Sequence, residues 1–142
     1  MSHNLTDFWR WSVSDLLSNA TRGRFAEFIV ATGVDILQPR DEWAAFDLIT
    51  PEGIKIEVKS AAYIQSLNQK QLSKISFSTK AAHVWDNETN TRSSVAFRSA
   101  DVYVFCLLHH DIKQTCDPLN LDHREFYMLA TQELNRYTRS VS

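Results

Sequence analysis

Only three glycines and three prolines occur in the 142 residues, which leaves little material for long flexible linkers. Two cysteines, Cys106 and Cys116, are too few for the disulfide framework that small secreted domains need. Cys106 lies inside an apolar run and reads as a small buried hydrophobe. No apolar run approaches the ~20 residues that cross a bilayer. The first ten residues lack the basic start and apolar stretch of a secretory leader. So few glycines exclude a Gly-rich phosphate loop, and no G-x-S-x-G nucleophile elbow occurs. A net charge of −2 is far from the strongly basic balance of a tight, non-specific DNA binder. With 44% hydrophobic and 23% charged residues, the chain has the composition of a globular protein with a real core. The expectation is one domain over residues 1–142, in a reducing cytoplasm and with no membrane partner.

What is present is a run of two alternating segments around a turn. Phe46 and Leu48 flank Asp47, Pro51 and Gly53 punctuate the break, and Ile54, Ile56 and Val58 alternate with Lys55, Glu57 and Lys59. That period of two predicts a hairpin with one face toward the core. Glu57 and Lys59 then share a face, roughly 7 Å apart along the strand. A turn centred on Pro51 and Glu52 places Asp47 opposite Ile56 or Glu57, and a slip of one residue would change its face. Two carboxylates and one ammonium gathered in this way suit a hard divalent cation beside a phosphodiester. Magnesium takes oxygen ligands and is usually held by one or two carboxylates plus substrate phosphate. Asp47 and Glu57 would supply the carboxylates, the Val58 carbonyl a further oxygen, and Lys59 would orient water or pair with the phosphate. The bland reading of the same pattern is a solvated sheet face.

Charge is unevenly spread. Between Val58 and Trp85 there is no acid, but there are Lys59, Lys70, Lys74 and Lys80. A phosphate backbone would have to lie along this basic stretch, which begins at the candidate metal site. Tyr63, Phe77 and Trp85 fall within it and offer either stacking surfaces for bases or core residues, with core the stronger reading for Phe77. Gln65, Gln69, Lys70 and Lys74 lie in a polar stretch over 65–74, a loop or a short helix.

Around this centre the pattern predicts a helix over 7–18 capped by Thr6, with Trp9, Val13, Leu16 and Leu17 on one face. A second helix over 22–32 stops at Gly33 and carries Phe25, Phe28, Ile29 and Thr32 along one stripe. Glu27 lies off that stripe and is either a solvated helix acid or an added metal ligand. Arg22 and Arg24 either touch phosphate or are solvated. Asp41 and Glu42 belong to a loop. Ser78 is expected to cap a short helix ending at Trp85, and 86–94 to be a loop. The run 102–108 reads as a buried central strand, 126–130 as another strand, and Thr131 as the cap of a last helix reaching about Tyr137. His109, His110, Cys116 and His123 have no spacing that closes a structural zinc site, so that segment is expected to be a polar loop.

Asp47 and Glu57-Val58-Lys59, with an upstream helix bearing Glu27, resemble the PD-(D/E)XK nuclease superfamily, the fold of many restriction enzymes and Holliday-junction resolvases. The proline that the motif's name sets beside the aspartate is absent. The phrases Glu42–Asp47, Glu57–Tyr63, Leu72–Phe77 and Ala100–Phe105 are also similar to a group of small bacterial proteins placed in that superfamily. The resemblance implies an α/β (α+β) fold with a restriction-endonuclease-like core, a mixed central β-sheet flanked by helices. It implies DNA hydrolysis with Mg2+, for which Mn2+ can substitute, and no organic cofactor. Asp47, Glu57, Lys59 and Glu27 would be catalytic, and Asp47, Glu57, Val58 and Glu27 would hold the metal. Ser60, Gln65, Lys70 and Lys74 would face substrate. A homodimer would supply the two sites that a duplex break requires. The competing expectation is a non-catalytic module on the same fold that binds nucleic acid or protein.

Overall fold

The computed structural model describes residues 2–137 and the backbone of 140–141. Its centre is a four-stranded sheet in the order β1-β2-β6-β7. Here β1 is Leu48–Ile49, β2 is Lys55–Ala62, β6 is Val102–Leu108 and β7 is Arg124–Ala130. β1 and β2 are antiparallel, β2 and β6 parallel, and β6 and β7 antiparallel, so the sheet is mixed. β6 is covered on both faces, which is why its sequence is an unbroken apolar run and not an alternation. In the β1–β2 turn Gly53 adopts φ +89°, a conformation that side chains other than glycine's rarely take.

Alternation sorts β2 and β6 into two layers. Leu48, Ile56, Val58, Val104 and Cys106 pack against Ala26, Val30 and Ala31 of helix α2, Asn19–Gly33. Ala61, Tyr103 and Phe105 face the other way and pack with Phe77, Ala100 and Leu134. Leu134 belongs to the one-turn helix α3, Thr131–Leu134, and Phe77 to the two-residue strand β3, Phe77–Ser78. β3 pairs with β8, Ser140–Val141. The expected mixed sheet between helices is therefore present.

Several element expectations need correction. Helix α1 spans Leu5–Val13, and Asn4, not Thr6, caps it by accepting from the Asp7 N–H. No residue of α1 is fully buried: of the expected stripe Trp9 is exposed, while Val13, Leu16 and Leu17 are half-buried, the last two beyond the helix end. In α2 the buried positions are Arg22, Ala26, Val30 and Ala31, while Phe28 is left largely in solvent. Small side chains let the helix approach the sheet closely, and the phenylalanines are displaced to its flank. Gly33 is the last helical residue. The left-handed position falls at Asp35 (φ 58°), and the Ile36 N–H reaches back to the Ala31 carbonyl at 2.8 Å, a Schellman closure.

Ser78 caps no helix. Its segment is extended, with Ala82 bridged to Phe97, and Arg98 Nε donating to the Thr79 carbonyl at 2.6 Å. The expected loop over 86–94 is a hairpin of β4, Trp85–Asp86, with β5, Thr91–Arg92. Thr131 is the first residue of α3, not its cap, and its hydroxyl donates to the Ala100 carbonyl. The helix stops at Leu134, short of Tyr137. Among the described residues no helix is long and apolar enough to cross a membrane.

Leu108, which is fully buried at the end of β6, sets a test of the core. Leu108→Ala should cost about 2–5 kcal/mol in urea unfolding. Trp11→Ala, on the exposed helix α1, should stay within about 0.5 kcal/mol of the parent.

Candidate functional site

The site begins with one acid at the end of a short strand. The Asp47 N–H donates to the Ile56 carbonyl at 3.1 Å, and its carboxylate accepts from the Val58 N–H at 2.7 Å. Asp47 thus spans the step from Ile56 to Val58. Its side chain does what a backbone carbonyl would do in a longer strand, and it sits at the rim of the sheet. Val58 holds the acid with its amide while its side chain anchors the core.

Glu57 and Lys59 alternate with Ile56 and Val58 and so project from the face opposite α2. Their register partners on β6 are Tyr103 and Phe105. Lys59 Nζ donates to Glu57 Oε1 at 2.6 Å, and the two side chains are 31% and 21% exposed. Burial, and then the charge of Asp47, push the Glu57 carboxyl upward against the pull of Lys59. For Lys59 burial works against the charge, but the Glu57 hydrogen bond and the charges of Glu57 and Asp47 prevail and hold its pKa above the ordinary value.

Glu27 comes from α2 on the other side of the rim. Its side chain is only 15% exposed, so it is not the solvated helix acid of the bland reading. Burial, and then Asp47, push its pKa up to about 7, with Arg40 opposing and Glu57 adding to the rise. Arg40 Nε lies 3.1 Å from Glu27 Oε2, close enough for charge attraction. The N–H is not aligned for a hydrogen bond, and this buried oxygen has no hydrogen-bond partner. Three carboxylates therefore feel one another across the rim of β1, with Lys59 on one side and Arg40 on the other.

The remaining candidates are dispersed. Alternation turns Ser60 toward the α2 layer, away from Lys59, and its hydroxyl is buried without a partner. Gln65 folds into its own loop. It accepts from Arg22, its side-chain amide donates to the Ala62 carbonyl, and its N–H donates to Gln69. Lys70 and Lys74 are exposed on that irregular loop, and Lys70 lines a polar cleft together with Lys113. Arg22 neither touches solvent nor stands free for phosphate. It is 2% exposed and donates to the Leu17 carbonyl and to Asn19 and Gln65. Arg24 is exposed and 3.9 Å from Glu42, which lies in a loop as expected. His110 stacks on His123 with ring centroids 4.1 Å apart. His109 meets the Asp122 carbonyl, and Cys116 is half-buried. Among the described residues no three His, Cys, Asp or Glu side chains are closed around a common point, either there or at the acidic rim.

Two members of the site were missed in the sequence. Arg40 lies in a loop with no periodicity to mark it. Tyr103 was absorbed into an apolar run, although it is the register partner of Glu57. Burial, and then Glu57, push its phenol upward.

A family model described as bacteriophage T4 endonuclease IV matches residues 5–141. The chain belongs to the bacteriophage T4 endonuclease IV family. No curated protein and no solved structure matches it. The match spans both layers of the sheet and every residue of the acidic rim. The family's name is that of an endonuclease, which points to nuclease chemistry for this chain.

The raised Glu27 has a measurable consequence. Its folded pKa of about 7 exceeds its ordinary 4.5, so the folded state binds the proton more tightly. Stability is therefore lost as pH rises from about 4.5 through about 7, and above that the full cost of the buried charge is present. In the presence of EDTA, Glu27→Gln should be more stable than the parent at pH 8 by on the order of 2 kcal/mol. The difference should shrink toward zero as the pH of the urea titrations is lowered toward 4.5.

Proposed function

We propose that this member of the endonuclease IV family is a DNA endonuclease of the PD-(D/E)XK type that depends on a divalent cation. The observation that carries the reading is the only partly offset acidity of the rim: burial and the charge of Asp47 raise both Glu57 and Glu27, and a buried oxygen of Glu27 has no hydrogen-bond partner. Such an arrangement costs stability unless a cation shares it. The donor set is all oxygen and suits magnesium, with manganese as substitute. Asp47 and Glu57 would hold the ion, with the Val58 carbonyl as a further oxygen and Glu27 as an added carboxylate. An open site with two carboxylates fits magnesium, which keeps several waters and takes part of its shell from substrate phosphate. Bound there, the cation would supply Lewis acidity and neutralise charge developing on the scissile phosphate.

The chain's own residues do the remainder. Lys59 stays charged, because Glu57 and Asp47 hold its pKa above the ordinary value. It is a charged ammonium at the sheet face that would pair with a phosphate oxygen or orient the attacking water. Val58 keeps Asp47 in place through its amide. Tyr103 closes the floor beneath Glu57 and limits water beside it. Lys70 and Lys74, on the exposed loop that follows β2, are positioned to meet the DNA backbone as sequence-independent phosphate contacts.

One observation favours a non-catalytic binding module instead. Each acid already has a protein partner: Lys59 on Glu57, Arg40 beside Glu27, and the Val58 amide on Asp47. Calorimetric titration with Mg2+ and Mn2+ in the presence of DNA separates the two readings, since a binding module would take up neither ion.

The nuclease reading predicts that Asp47→Ala and Lys59→Ala each lower magnesium-dependent DNA cleavage by about 10²–10⁴-fold. Circular dichroism should stay native in both. Cleavage at the parental rate in either folded variant would remove that residue's role.

A further inference from the structure

β7 is the free edge of the sheet: among the described residues its only strand neighbour is β6. Natural edge strands are usually blunted by shortness, proline, lysine, bulges or a covering element. The opposite edge obeys this rule, since β1 is two residues long. β7 does not. Its seven residues, Arg-Glu-Phe-Tyr-Met-Leu-Ala, contain no proline or lysine and pair with β6 in an uninterrupted register. Arg124 is buried and bound to the Pro118 carbonyl, and the Glu125 carboxylate accepts from the Tyr127 hydroxyl. Beside the exposed Glu125, the strand presents outward Phe126, Tyr127 and Met128, which are 40%, 54% and 77% exposed.

Each face beside this edge carries an apolar groove. One, of about 470 Å3, runs along Val34, Val102, Val104, Phe126 and Met128. The other, of about 510 Å3, runs along Tyr63, Ile75, Phe105, Tyr127 and Leu129.

We propose that β7 pairs antiparallel with β7 of a second copy of this chain, about a two-fold axis at Tyr127, joining two sheets into one of eight strands. The backbone phase allows this register. The His109 N–H donates to the His123 carbonyl, and the Thr131 N–H donates to the Asp101 carbonyl. Odd-numbered positions therefore bond to β6, and the N–H and C=O groups of Arg124, Phe126, Met128 and Ala130 point outward. A two-fold axis at Tyr127 sets Phe126 opposite Met128 and Arg124 opposite Ala130, so every outward group finds a partner.

The side chains are self-complementary in the same register. Phe126 meets Met128 twice on one face, and the two Tyr127 rings meet on the other. Such isologous matching is what a second copy supplies and an unrelated strand does not. The area is sufficient. At ~200 Å2 for a large side chain, the exposed parts of these three residues remove roughly 700 Å2 in a symmetric pair. The groove walls bring the total to about the 1,000 Å2 that a specific interface needs.

The inference stands apart from the proposed hydrolysis, because it concerns association alone. If both hold, the axis perpendicular to the sheet leaves Glu57 and Lys59 of both copies on one face. Five strand spacings, about 24 Å, would separate them across the sheet.

Sedimentation of the full chain at about 100 µM, above the micromolar Kd that a small interface supports, should give twice the chain mass. Met128→Arg should return the monomer mass with native circular dichroism. In a Cys116→Ser background, Tyr127→Cys should form an intermolecular disulfide on mild oxidation, because its counterpart lies directly across the axis. Ile49→Cys, on the opposite edge, should not. A monomer at every concentration overturns the proposal, as does a dimer that persists in folded Met128→Arg. Equal crosslinking through Tyr127→Cys and Ile49→Cys overturns it as well.

Discussion

The hydrogen bond from the Val58 amide to the Asp47 carboxylate is the constraint on which the site depends. It takes an acid that could have pointed into solvent and fixes it in line with the sheet. From there its charge adds to burial in raising Glu57 on one side of the rim and Glu27 on the other. Glu57 adds a smaller push of its own on Glu27. Lys59 and Arg40 offset part of that acidity, and both are long, mobile side chains that can yield to a better cation. The rigid part of the arrangement is the backbone: Ile56 and Val58 are core residues, and the acids are held by the same strands that carry the core.

The hairpin was legible because β2 alternates from Lys55 to Lys59, and Pro51 and Gly53 mark where it must reverse. The central strand was legible because burial on both faces leaves an unbroken apolar run. The position of Asp47 was legible only in part. Alternation leaves Ile56 or Glu57 as its opposite number, and the structure uses both neighbours of Glu57, bonding the Asp47 amide to Ile56 and its carboxylate to Val58. Tyr103 and Arg40 were not legible, since one depends on a parallel register between strands 46 residues apart (Glu57 and Tyr103) and the other on a loop path. Arg22 misled because a guanidinium at the start of a helix usually faces water. Here three carbonyl oxygens, from Leu17, Asn19 and Gln65, take its protons inside the protein. The two-residue strands β3, β4 and β5 escaped notice because so short a segment has no periodicity to read.

The chain's membership of the endonuclease IV family, matched over residues 5–141, and the charge pattern of the rim are separate observations. The two edges of the sheet differ: the β1 edge is short and lies beside Asp47, while the β7 edge is long and largely apolar. The proposed chemistry and the proposed association would therefore fall on opposite sides of the parallel β2–β6 pair.

The central claim is that Asp47, Glu57 and Glu27 share a divalent cation. Anomalous diffraction from a crystal soaked in Mn2+ tests it most directly. The expected result is a peak between the carboxylates of Asp47 and Glu57, within reach of the Val58 carbonyl, with Lys59 drawn away from Glu57. A map with no peak at the rim, in which Lys59 remains on Glu57 and Arg40 beside Glu27 at millimolar Mn2+ with DNA bound, would contradict it.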